Sequence, residues 1–201
     1  LIQMNPNIKD TVFVLTDCSE NIPDPGHKIM GPEEWYGALY YEIIDSGRDD
    51  KLYTLLGWDG KDASSNRKII EVLSFSEDWI PGFGAMIFSG FEKGNQSRIL
   101  IDYSENTLFS MKYAYPVLYD PEMGRKLRRK YSKMIIIDRL IPIHPGLADD
   151  CRYLVSSGEI FDAFIPEDKH WIFKKDIDVK DIRKKIMNED HPPIEQGLWK
   201  E

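Results

Sequence analysis

Residues Leu52 to Phe75 read LYTLLGWDGKDASSNRKIIEVLSF, and this stretch decides the fold class. Tyr53, Leu55 and Gly57 alternate with Leu52, Thr54, Leu56 and Trp58, and both sets are largely apolar. A strand buried on both faces has that pattern, which places it centrally in a sheet. Asp59-Gly60 is a strong turn dipeptide, because Gly takes positive φ freely and Asp tolerates it. Ser64, Ser65 and Asn66 suit the cap of a short helical turn over Ser64–Lys68. Ile69, Val72, Leu73 and Phe75 then fit a second strand, since Gly82 and Gly84 soon interrupt the chain. Arg67 is expected to tie the Asp59/Asp62 loop together, because a guanidinium forks to carboxylates and carbonyls at once.

Working outward, Thr11 to Thr16 (TVFVLT) reads as a compact strand. Asn21 to Pro32 carries three prolines and two glycines and reads as a surface loop. Trp35 to Ile44 (WYGALYYEII) reads as a long aromatic strand, joined by the 45–50 loop to Leu52 and paired with it antiparallel. Four more strands are expected at Gly84–Phe88, Arg98–Tyr103, Leu108–Tyr113 and Lys133–Leu140, with turns at 94–95 and 105–106. Ile160–Phe164 and Trp171–Lys175 form a last hairpin around 166–169. After Asp178, Val179, Ile182 and Ile186 recur at helical spacing.

The fold class is therefore mainly β. One antiparallel domain over 1–178 forms a meander of roughly eight to eleven strands, bent into a sandwich or open barrel. A short C-terminal helix and an extended tail follow over 179–201.

Composition narrows the function. The chain has 201 residues, enough for one large domain with its own core. Aromatic residues make up 12%, which favours sheet. A formal net charge of -8 argues against a nucleic-acid partner, since phosphate contacts would have to overcome it. No apolar run approaches the ~20 residues of a membrane helix. Cys18 and Cys151 leave a disulfide and two free thiols open; acidic neighbours work against a reactive thiolate at either.

Four patterns could carry chemistry. Asp59, Asp62, Ser64 and Asn66 offer oxygens to a cation, but with two carboxylates and without EF-hand spacing a capped structural turn is the better reading. Glu71 and Asp102, on neighbouring expected strands, could act as a glycosidase acid pair, although 34 acidic residues make some such pair inevitable. Ser/His/Asp catalysis finds no G-x-S-x-G elbow, and His144 lies between Pro142 and Pro145. The sequence thus assigns no catalytic residue, no metal and no cofactor. The fourth pattern is Gly124–Lys133, GRKLRRKYSK, six Lys and Arg within an acidic chain. Arg125, Lys126, Arg128, Arg129 and Lys130, with Tyr131 and Tyr119 as apolar anchors, form a candidate docking arm.

The segments WYGALYY (35–41), YTLLGWDG (53–60) with NRKIIEVLSF (66–75), FG..IF (83–88) and MIIIDRL.P..P (134–145) resemble a family of Bacteroidota cell-envelope proteins without assigned activity. The YTLLGWDG…NRKIIEVLSF block is the most specific part, and the resemblance spans about residues 30 to 175. It implies a β-rich body and an exported protein, periplasmic or outer-membrane-associated, with a signal peptide and further sequence upstream. By association it points to type IX secretion or glycan uptake. The chain departs from the family in its basic insert at 124–133 and its charged extension after 175. The expectation is a non-enzymatic accessory subunit bound to a larger envelope protein complex. The alternative is a glycan-binding or glycan-cleaving protein that stacks sugars on Trp35, Tyr36, Trp58 and Trp79.

Overall fold

Leu52–Asp59 is a strand with antiparallel neighbours on both sides, as its two apolar sets require. The computed structural model of the chain describes residues 12–45, 51–92, 94–114 and 133–177. In chain order its strands are β1 (Leu39–Asp45), β2 (Leu52–Asp59), β3 (Ser65–Phe75), β4 (Pro81–Phe83), β5 (Phe88–Ser89) and β6 (Asn95–Gln96). There follow β7 (Ile99–Ser104), β8 (Met111–Ala114), β9 (Met134–Pro142), β10 (Leu154–Glu167) and β11 (His170–Ile177).

The first sheet runs β1-β2-β3, and the far edge of β3 is shared. Ser65 to Ile70 pair with β7, and Leu73 to Phe75 pair with β4. Between them the Gly84 N–H bonds Val72 O at 2.7 Å, so the edge stays served. Gly84 has φ +97°, and a Cβ there would lie 3.1 Å from Lys28 O, so glycine is required. The second sheet is ordered β6-β5-β11-β10-β9-β8, antiparallel except where β5 lies parallel to β11.

The sheets pack face to face as a sandwich. Leu56, Ile70, Val72 and Ile99 of the first meet Phe88, Ile135, Phe164 and Trp171 of the second. Each fully buried aliphatic or aromatic side chain of this kind contributes about 1.5–3 kcal/mol. Trp171 also donates from Nε1 to Thr54 Oγ1 at 3.0 Å, a direct bond across the layers.

The opposite face of the first sheet is covered as well. Leu55, Ile69 and Leu73 pack under Ile22, Met30 and Tyr36 of the segment preceding β1. That segment is fastened by Met30 and Phe83, which exchange both backbone hydrogen bonds at 2.8 Å, and by Ser97 N–H to Gly26 O at 2.8 Å. Covering both faces of β2 and β3 is what the double apolar pattern expressed.

Several expectations need correction. Residues 12–16 form no strand: Val12 and Val14 are exposed, and Thr16 contributes a single loop bond to Pro32 O. Strand β1 begins at Leu39 rather than Trp35, because Pro32–Glu34 form a 3-10 turn and Gly37 takes φ +72°. Ser64–Lys68 is not a helical turn. Arg67 to Ile70 are held in a ladder on both edges, by β2 and by β7, and Ser65 and Asn66 pair with β7. Nor is the order a simple meander, since β7 joins the first sheet and β8 the second across the 105–106 turn. The expected helix over Val179–Ile186, and with it the 179–201 unit, lies outside the described residues. Among the described residues no helix is long and apolar enough to cross a membrane.

Candidate functional site

Charged side chains of β3 and β7 meet on the face under the N-terminal segment. The register sets Arg67 opposite Asp102, and four residues on Glu71 meets Arg98, the residue just before β7. Arg67 donates from Nε and Nη2 to the two Asp102 oxygens and from Nη1 to the Tyr36 hydroxyl. Lys61 adds a bond to Asp102 Oδ2 at 2.7 Å. Glu71 accepts from Arg98 Nε and from the Tyr40 hydroxyl, and Trp35 Nε1 donates to Tyr40 at 3.2 Å. Arg98 further donates to the carbonyls of Pro25 and Lys28, which clamps the covering segment to the sheet.

Burial pushes the Glu71 carboxyl up, and Arg98 and Tyr40 pull it back without reversing the direction. Asp102 goes the other way: burial would raise it, but hydrogen bonds from Arg67 and Lys61 hold it below the usual range. The two carboxylates are thus separately neutralised. A four-residue offset along β3, roughly 13 Å of backbone at 3.3 Å rise per residue, separates the strand positions that hold them, and each has its own guanidinium, Arg67 for Asp102 and Arg98 for Glu71.

The 60–64 loop is organised by Asp62 alone. Its oxygens accept from the backbone and hydroxyl of both Ser64 and Ser65, at 2.7–2.8 Å. Arg67 faces Asp59 across the β2–β3 pair yet makes its hydrogen bonds to Asp102 and Tyr36, so it does not tie the Asp62 loop. Asp59 is raised by burial, with Arg67 opposing. Among the described residues no group of three or more His, Cys, Asp or Glu is placed to hold a metal. Cys18 and Cys151 are both half-buried free thiols.

A second feature lies where the sandwich is open. β1 ends the order of the first sheet and β8 that of the second. Between these edges is a cleft of about 450 Å³ lined by Tyr41, Glu42, Lys68, Phe109, Met111 and Tyr113, among others. The Tyr41 hydroxyl donates to Met111 O at 3.2 Å, and the Tyr113 N–H approaches Glu42 Oε2 at 3.4 Å. Both bonds join the two edges. The Lys68 ammonium lies 4.6 Å from the centre of the Tyr41 ring, and burial lowers its pKa.

The cleft reaches Ala114, the last described residue of β8 before the basic run in the sequence. Ala114 pairs with Met134, so the chain leaves β8 and re-enters β9 at one place. Tyr119, Arg125, Lys126, Arg128, Arg129, Lys130 and Tyr131 lie outside the described residues. Lys133, at the end of the run, rests 5.3 Å from the Tyr113 ring centre.

The aromatic residues singled out for sugar stacking do not form one surface. Tyr36 is buried, Trp35 packs on Tyr40 and Phe83, and Trp58 packs against the inter-sheet core on the opposite face of the same sheet. Trp79 stacks beside Phe75 with Lys51 over its ring. Sequence reasoning missed Arg98 and Lys68. A signal was present for Arg98, since Glu71 lies inside an apolar run and Arg98 opens another, in positions that a sheet must bury. Comparison of the chain with protein-family models, curated proteins and solved structures finds no match.

Proposed function

We propose that the protein is a non-enzymatic accessory subunit that docks on a larger cell-envelope complex, with the 124–133 arm as part of the contact. The observation that carries this reading is the closure of β8 on β9 at Ala114 and Met134, which sets the basic run between two paired strand ends. Six positive residues there stand against a net charge of -8. Such a local field of opposite sign orients and accelerates encounter with an acidic surface, while nearby apolar groups supply affinity. The resemblance of the YTLLGWDG…NRKIIEVLSF block supports an exported, outer-membrane-associated setting, of the type IX secretion or glycan-uptake kind.

The test is reversal of Arg125, Arg128 and Arg129 to Glu, followed by affinity purification from the native membrane. Loss of a stoichiometric companion, with a folded variant, supports the arm as a contact. Unchanged recovery of every companion dismisses the arm. Finding none for the unmodified protein overturns the subunit reading in favour of the glycan one.

A further inference from the structure

Several cations of the described body sit on carboxylates: Lys28 on Glu34, Lys61 and Arg67 on Asp102, Arg98 on Glu71, Arg139 on Asp162. Lys68 does not. It is half-buried on the inner face of β3, contacts the Tyr41 ring, and makes no ion pair among the described residues. An ammonium partly stripped of water and facing a ring gains from an anion more than an exposed lysine would. The space beside it is concave and walled by Phe109, Met111 and Tyr113, and its volume of about 450 Å³ lies in the range of small-molecule sites.

We propose that the β1/β8 cleft binds a small organic carboxylate with an apolar or aromatic body, Lys68 holding the carboxylate and the Phe109, Met111 and Tyr113 walls holding the body. Charge complementarity selects the anion, and the walls select against a bare inorganic ion. Glu42, whose carboxylate accepts from the Tyr113 N–H, and Lys112 also line the cleft, one negative and one positive, and Lys68 is the cation that faces the Tyr41 ring. This site is independent of the docking reading, because none of its lining residues belongs to the 124–133 run.

The probe is phenylacetate, titrated into the full chain by NMR with the Met111 methyl and the Tyr41 and Tyr113 rings as reporters. Phenylacetamide, which has the same shape without the charge, is the control. Phenylacetate is expected to saturate those signals and to bind roughly tenfold or more tightly than the amide. Lys68→Met removes that preference, Lys68→Arg keeps most of it, and Glu42→Gln tightens the acid. A wild-type-like spectrum of each variant away from the cleft establishes folding. Equal binding of acid and amide, full affinity in a folded Lys68→Met protein, or weakening by Glu42→Gln overturns the proposal. So does the absence of saturable shifts up to the solubility limit of the probe. The result is read without any partner, so it fails or holds separately from the purification experiment.

Discussion

Glu71 and Arg98 form an ion pair in which neither side chain reaches solvent, on the covered face of β3 and β7. Each also holds a group outside the pair, Glu71 the Tyr40 hydroxyl and Arg98 the Pro25 carbonyl. The two losses are not equivalent. A guanidinium stays charged at any accessible pH, whereas a buried carboxyl can take up a proton. Glu71→Gln is therefore expected to cost about 3–5 kcal/mol. Arg98→Met should cost less at pH 5 than at pH 8. Its remaining Glu71, already raised by burial, would lose its main lowering neighbour and be held neutral at the lower pH. The sign follows from linkage: a group whose folded pKa lies above its unfolded one supports the fold below the unfolded value and loses that support as pH rises. Urea unfolding of both variants across that range decides it. A pH-independent Arg98→Met, or a Glu71→Gln within ~1 kcal/mol of wild type, contradicts this account.

Acid should destabilise the wild type through two other carboxylates. Asp62 is held well below the usual range, first by the Ser65 hydroxyl and then by the Ser64 backbone N–H. Asp102 is lowered because hydrogen bonds from Arg67 and Lys61 outweigh its burial. Both ionise more readily folded than unfolded, so each supports the fold above the unfolded Asp value of about 3.9. That support fades as pH falls toward the folded values. Stability measured from about pH 5 to pH 2 should fall less steeply in Asp62→Asn and in Asp102→Asn than in the parent. Parental slopes in both would remove these groups from the explanation.

The β body was legible because its signal is periodic. Two apolar sets in Leu52–Trp58 dictate burial of both faces, and the β2–β3 register then runs unbroken from Leu52↔Ser74 to Asp59↔Arg67. The partner on each face was not legible. Whether Ile99–Ser104 follows β4 into a meander or turns back onto β3 is set by long-range packing, which leaves no local trace in ILIDYS. The TVFVLT segment failed because β-branched residues raise strand propensity without supplying a partner: Val12 and Val14 stay exposed, and Thr16 bonds Pro32 O in a loop. The cleft was invisible because Tyr41, Lys68 and Met111 are far apart in sequence and meet only through the sandwich.

Arg67 gives the sharpest test of that difference between loop and sheet. From sequence it should tie the Asp59/Asp62 loop; in the structure it faces Asp59 across β2–β3 but bonds Asp102 at two nitrogens and Tyr36 at the third. Its side chain and that of Asp102 are 18% and 25% exposed, so solvent screens the pair only partly. Arg67→Ala should cost about 1–3 kcal/mol, less than a fully buried pair because Lys61 still reaches Asp102. Arg67→Lys should recover under half of that, since a point charge cannot fork to a carboxylate while donating to a phenol. Double-mutant cycles in urea separate the alternatives. Arg67→Ala with Asp102→Ala should be strongly non-additive, by roughly 1 kcal/mol or more, while Arg67→Ala with Asp62→Ala should add within about 0.5 kcal/mol. Coupling to Asp62 instead of Asp102 would return Arg67 to the loop, and an Arg67→Ala protein as stable as its parent would deny it any structural part.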